Sequence, residues 1–200
     1  AFLMDEPLSS IEPEGKWHLK MQIKEIQHTL EQTLIYVTHD QSEALTLADK
    51  IVVMHQGKLL QYSSVDNTYN SPASTFVGYF TGDPGMNFVE CTLEGRILNC
   101  GNFTYDISKK NLDGHGTQFQ IGIRPEHVGV SRNKKENWIP ANLIAVENLG
   151  TMKIMHLESG QHKIKAKMKA WDDPEDGNVW ICFPDDHIKI FDSSGGLVVL

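Results

Sequence analysis

Two adjacent carboxylates close a short apolar run near the start of the chain, Phe2-Leu3-Met4-Asp5-Glu6-Pro7, and a histidine closes a second run, Ile35-Tyr36-Val37-Thr38-His39-Asp40. Acidic side chains at the carboxyl end of a buried strand stand where a nucleotide's magnesium and an attacking water can be reached. Magnesium prefers hard oxygen ligands and keeps several waters, so Asp5 can hold it through water while Glu6 orients and deprotonates the nucleophile. The imidazole of His39 can donate to a phosphate oxygen while its other nitrogen bonds elsewhere. Taken singly these residues are ordinary, the pair reading as a solvated strand end and the histidine as structural. Their meeting on one edge of a sheet is what would give them a mechanism.

That meeting depends on the elements between them. Residues 1–5 and 33–38 are apolar runs of the kind expected for strands covered on both faces. Between them Leu19, Ile23, Ile26 and Leu30 recur at helical spacing, and Pro13 suits a first helical turn, where its missing N–H costs nothing. Gly15 costs about 1 kcal/mol against Ala inside a helix, so the helix is expected to begin late or fray. A strand–helix–strand crossover is nearly always right-handed and makes its strands parallel, which puts Asp5-Glu6 and His39-Asp40 on one edge. A second helix is expected over 41–48, then a hairpin through Gln56-Gly57, and two short helical segments near Phe80.

From Gly82-Asp83-Pro84-Gly85 onward the texture changes to short alternating runs separated by Gly, Asn and Asp turns: 88–93, 96–98, 119–123, 141–148, 153–157, 163–168 and 179–182. Such spacing indicates a small all-β sandwich or barrel. The expected division is an α/β segment over 1–82 and an all-β domain over 83–200. No internal repeat is apparent.

With these elements in view, Phe2 to Ser9 resembles the Walker B segment and D-loop of the ATP-binding subunits of ABC importers, in particular the branch serving maltose, glycerol phosphate and related solutes. Ile35 to Ala44 resembles the switch-histidine loop of that family, and Leu47 to Met54 continues the likeness. Met86-Asn87-Phe88 and Ile121-Gly122-Ile123-Arg124-Pro125-Glu126-His127 resemble its accessory β domain, an OB-like barrel called TOBE. The resemblance implies a partial P-loop nucleotide-binding domain followed by the OB-like domain. It implies Asp5 as the Mg2+-linked carboxylate, Glu6 as general base, His39 as the contact to the γ-phosphate of ATP, and Ser9, Ser10 and Glu12 in the segment facing a second, identical ATPase subunit. It also implies transmembrane permease partners and a peripheral place on the cytoplasmic face of the cell membrane. Glu12 stands where the family usually has Asp, one methylene shorter, and is expected to act as an acceptor or cap.

The phosphate-wrapping run G-x-x-x-x-G-K-[ST] and the family's Ser-Gly-Gly-Gln signature are absent from these 200 residues. The chain opens in what reads as the tail of a strand, so it is expected to be a fragment, inactive by itself. Ser194-Gly195-Gly196-Leu197 reads as flexible tail. The rival reading is a non-catalytic module in which the β domain senses a small ligand or anion, or touches a regulator.

Other signals bound these readings. Acidic residues outnumber basic ones 26 to 18, for a formal charge of −8, and neither segment is basic, which disfavours nucleic acid. No apolar run approaches the about 20 residues of a membrane-spanning helix, so direct insertion is not expected. Three cysteines without C-x-x-C spacing argue against a disulfide framework and a zinc site, and fit a reducing, cytosolic setting. Lys163, Lys165, Lys167 and Lys169 read as a solvated face guarding a sheet edge. Trp138, Trp171 and Trp180 read as packing, and Asp172 to Gly177 as a solvated turn.

Overall fold

The computed structural model describes residues 1–108, 112, 116–169 and 177–199. The chain divides into two compact units, Ala1–Asn70 and Ser71–Leu200. Among the described residues no helix is long and apolar enough to cross a membrane. Trp171 and the acidic run 172–176 lie outside the described residues.

In the first unit, β1 (Phe2–Asp5) and β2 (Leu34–Val37) pair in parallel, with Phe2 opposite Leu34 and Asp5 opposite Val37. The crossover is α1 (Pro13–Leu30), which begins at Pro13 rather than late, so Gly15 is accommodated within its first turn. The helix ends at Glu31, whose left-handed backbone (φ 49°) lets its N–H close on the His28 carbonyl. Asp40 then caps α2 (Gln41–Leu47), its side chain accepting from the N–H groups of Ser42 and Glu43. β3 (Lys50–His55) and β4 (Lys58–Ser64) form a hairpin whose Gln56-Gly57 turn has positive φ at both residues, the primed geometry that matches strand twist, and α3 (Val65–Asn70) follows.

Coverage of these strands departs from expectation. Leu3 is 70% exposed and Ile35 54%, and on α1 Ile26 and Leu30 are exposed too. The physical reason is sheet size, since β1 and β2 form a two-stranded sheet and no third strand flanks them among the described residues.

The second unit opens with α4 (Thr75–Phe80), capped by the Ser74 hydroxyl accepting from the Val77 N–H. The remaining strands are β5 (Asn87–Glu94), β6 (Ile97–Asn99), β7 (Thr104–Asp106), β8 (Gln118–Ile123), β9 (Gly129–Ser131), β10 (Ile139–Asn148), β11 (Lys153–Ser159), β12 (His162–Met168), β13 (Gly177–Cys182), β14 (Lys189–Asp192) and β15 (Leu197–Val199). They make a six-stranded sheet, β15-β14-β8-β5-β6-β7, and a five-stranded sheet, β12-β11-β10-β13-β9. Alternate residues of both sheets, among them Val89, Ile121, Ile190, Met155, Ile164 and Ile181, enclose one apolar core. Gly122 lies within β8 because a Cβ there would come within 2.6 Å of the Phe191 ring.

Two expectations are corrected in this unit. Residues 194–197 are not a loose tail: the Asp192 carboxylate accepts from the N–H groups of Ser194 and Gly196, and β15 pairs with β14. Cys91 and Cys100 are joined in a disulfide, with Cys182 free. The β5–β6 register, with Thr92 opposite Asn99, brings the next pair outward, Cys91 and Cys100, face to face, which an odd cysteine count does not reveal.

Polar side chains join the two sheets. Asn87 at the start of β5 accepts from the Lys165 N–H at 2.7 Å and donates to the Lys165 carbonyl at 2.9 Å, pairing with the outer edge of β12. On that edge strand Lys163 and Lys165 are exposed while Ile164 and Ala166 are buried. Trp138 and Trp180 are half-buried, with the Lys135 ammonium 4.3 Å from the Trp138 ring.

A short repeat also emerges. Arg124-Pro125-Glu126-His127-Val128 and Pro184-Asp185-Asp186-His187-Ile188 both form a single 3₁₀ turn ending in histidine, with matching backbone hydrogen bonds. The first carries the chain from β8 in one sheet to β9 in the other, and the second carries it back from β13 to β14. The two imidazoles stack with centroids 3.6 Å apart and planes 6° from parallel.

Burial first, and the neighbouring His187 second, hold the His127 imidazole below its ordinary value. Its folded pKa is therefore depressed relative to the unfolded chain. The contribution is fully present above the unfolded value near 6.5 and is lost as pH falls through that value toward the folded one. The melting temperature should accordingly drop between pH 7.5 and 5.5, and His127→Asn should flatten that slope. Asn87→Ala leaves the Lys165 N–H and carbonyl without their side-chain partner and should lower stability by about 2 kcal/mol in urea denaturation.

Candidate active site

Parallel pairing brings the carboxyl ends of β1 and β2 to a common rim. The Glu6 N–H continues the ladder by donating to the Val37 carbonyl at 2.8 Å, and the backbone at Glu6 then turns left-handed, with φ 44°. A long side chain in that conformation is uncommon and is held only where its surroundings over-determine it. The turn directs Glu6 across to the neighbouring strand end, where Glu6 Oε1 and His39 Nδ1 lie 3.0 Å apart. Both side chains remain open to solvent, His39 at 75% and Glu6 at 45%.

The hydrogen bond that His39 donates to the Glu6 carboxylate, reinforced by that carboxylate's charge, holds the imidazole above its ordinary value. With Nδ1 committed to Glu6, Nε2 is the nitrogen available to an incoming anion. Asp5 is exposed one residue earlier, at the end of β1. Among the described residues no group of three His, Cys, Asp or Glu side chains forms a metal cage. A single carboxylate suits an ion held mostly by water and by a ligand's own oxygens, which is how magnesium binds nucleotides.

Ser9, Ser10 and Glu12 are exposed along the turn between β1 and α1, anchored by the fully buried Leu8. The Glu12 carbonyl accepts from the N–H groups of Gly15 and Lys16, but its side chain caps nothing, so the expected cap is provided by backbone alone.

Beneath the rim lies a network to which sequence reasoning assigned no role. Glu43 is 2% exposed. Its Oε2 accepts from the Tyr36 hydroxyl and the Thr38 hydroxyl, each at 2.9 Å, and its Oε1 faces the Lys16 ammonium at 3.5 Å. Lys16 also lies 3.8 Å from Asp40 Oδ2. Burial and the Glu43 carboxylate push the Tyr36 phenol well above its ordinary value, keeping it a donor. The Ser42 hydroxyl bond, with the Ser42 and Glu43 N–H groups, holds Asp40 below the usual carboxylate range. The available signal was Asp40-x-x-Glu43, which has capping-box spacing, but Glu43 turns inward and the Asp40 N–H goes to Thr38 Oγ1 instead.

Known proteins resemble this chain along most of its length. Residues 82–128 match the family described as the MalK OB fold domain, and residues 121–191 match the TOBE domain. The trehalose/maltose import ATP-binding protein MalK of Thermococcus litoralis is 35% identical over 99% of this chain and 57% of its own length. The sn-glycerol-3-phosphate import ATP-binding protein UgpC of Escherichia coli is 32% identical over 98% of this chain and 56% of its own. An uncharacterized ABC transporter ATP-binding protein, YurJ of Bacillus subtilis, is 33% identical over 96% and 56%. The chain thus spans about half the length of the curated relatives it matches.

If the Glu6 bond sets the His39 charge, Glu6→Gln should return the His39 titration, followed by the NMR shift of its ring protons, toward 6.5. Asp40→Asn should move it less, since Asp40 is a smaller contributor. Over nearly its whole length this chain is similar to the ABC importer ATP-binding proteins MalK and UgpC, and it carries matches to the MalK OB fold domain and the TOBE domain.

Proposed function

We infer that the chain provides the hydrolytic rim of an ATPase that energises import of a carbohydrate or glycerol phosphate, and that its β-rich unit is the accessory domain of that subunit. The observation that carries the reading is the 3.0 Å contact between Glu6 and His39 at the ends of two parallel strands. A carboxylate and an imidazolium side by side can serve the two ends of phosphoryl transfer to water. Glu6 keeps lone pairs beyond the one directed at His39 and accepts the proton of the attacking water. His39 donates from Nε2 to an oxygen of the γ-phosphate, with its ring orientation fixed by Glu6. Asp5 is the residue that would hold Mg2+, which would supply charge neutralisation at the phosphate oxygens.

The phosphate-wrapping glycine-rich run is not in these 200 residues, and the relatives whose names support the reading are longer than the part matched here. The names of the relatives support import as the setting, and in that setting the subunit works at the cytoplasmic face with permease partners. Exposure of Ser9, Ser10 and Glu12 supports their role in facing a second copy of the subunit.

The test is steady-state ATP hydrolysis by the full-length protein assembled in its transporter. Glu6→Gln should lower kcat by about 10²–10⁴-fold with KM for ATP little changed, the range for loss of a general base. His39→Ala should fall in the same range. By contrast, calorimetry of residues 1–200 with Mg-ATP should show no micromolar binding. Turnover that survives Glu6→Gln would overturn the reading.

A further inference from the structure

We propose that Lys16 and Glu43 act as a strut that sets the position of His39 from the start of α1, so that displacement of the Ser9–Glu12 segment is transmitted to the histidine. The proposal rests on the reading of Glu6 and His39 given above. His39 itself is exposed and, among the described residues, its side chain holds Glu6 alone, so its placement depends on the backbone on either side. That backbone is fixed by Glu43. Thr38 immediately before His39 and Tyr36 on β2 both donate to Glu43 Oε2, and Asp40 immediately after His39 caps the helix on which Glu43 sits.

The other oxygen of Glu43 faces Lys16, in the first turn of α1 and four residues beyond Glu12. Three elements therefore converge on one carboxylate: β2 through Tyr36 with Thr38 just past its end, α2 through Glu43 itself, and α1 through Lys16. A carboxylate that is 2% exposed pays a large desolvation cost and is retained only while its partners stay in place. Moving the start of α1 removes the cation, and the remaining partners must rearrange around an uncompensated charge. The hydroxyls that respond are those of Tyr36 and Thr38, on the stretch that leads into His39. Lys16 is a positioning residue in this scheme, with no contact to the reacting atoms, and its side chain, 24% exposed, can be changed without opening a sealed core.

The test uses the full-length protein in its transporter, with Lys16→Met, Lys16→Arg, Glu43→Gln and the double variant Lys16→Met/Glu43→Gln. Lys16→Met keeps the apolar stem, and Glu43→Gln keeps an acceptor for Tyr36 and Thr38. Each should lower kcat about tenfold, as a small misplacement of a catalytic group does, with KM for ATP within about twofold. Lys16→Arg should recover most of the loss. The double variant should be no worse than either single one, because both cut the same link. Hydrogen exchange over residues 34–47 should quicken in Lys16→Met. If Lys16→Met leaves kcat within about twofold of the unsubstituted protein, or if the double loss is the product of the single losses, the strut is overturned and the Glu6–His39 reading stands. If Glu6→Gln, run alongside, has no effect, both are overturned.

Discussion

Two four-residue strands lying in parallel register are the constraint on which the rim depends. Because Asp5 sits opposite Val37, the next residue on each strand emerges at the same level, and Glu6 needs only one left-handed step to reach across. A slip of one residue would send Glu6 to the other face of the sheet and separate it from His39. The left-handed backbone at Glu6 costs about 1–3 kcal/mol by itself. It is offset by the ladder bond that Glu6 completes to Val37 and by the charge-assisted contact to the imidazole. Helix α1 supplies the crossover that makes the pairing parallel at all.

The β-rich unit meets a different constraint, that of closing two sheets over one core while leaving few polar groups stranded. Asn87 answers it on one side by acting as a fragment of strand, its amide mimicking a peptide against the outer edge of β12. Arg124 answers it on the other. The residue is 2% exposed, and its guanidinium donates to the carbonyls of Gly78 and Thr81 and to the Thr81 hydroxyl, tying the end of α4 to the end of β8. His162, also buried, bonds the Cys100 carbonyl at 2.9 Å. Each of these side chains bonds backbone carried by a different element.

Local pattern made much of this visible in the sequence. Periodicity and turn residues located α1, α2, the hairpin and seven strands of the β-rich unit, and the strand-end positions of Glu6 and His39 led to their juxtaposition. Four strands escaped notice, namely β7, β9, β14 and β15, because three or four residues carry too little alternation to distinguish strand from loop. Glu43 escaped for another reason. A glutamate three residues after an N-cap is ordinary on helical surfaces, and only the convergence of Tyr36, Thr38 and Lys16 from other elements turns it inward. The Cys91–Cys100 bridge was likewise hidden, since it follows from hairpin register and leaves no mark in residue counts.

The two histidine-ended 3₁₀ turns have a consequence for how the β-rich unit comes apart. One ribbon of chain enters the six-stranded layer and leaves for the five-stranded layer, while the other makes the return journey, and the two cross where their imidazole rings touch. Each layer is thereby partly woven from the other's thread. A pull that strips β9 from its sheet drags on β8 in the opposite one, and β13 and β14 are tethered in the same way. Such interlacing opposes stepwise peeling and favours rupture of both layers together.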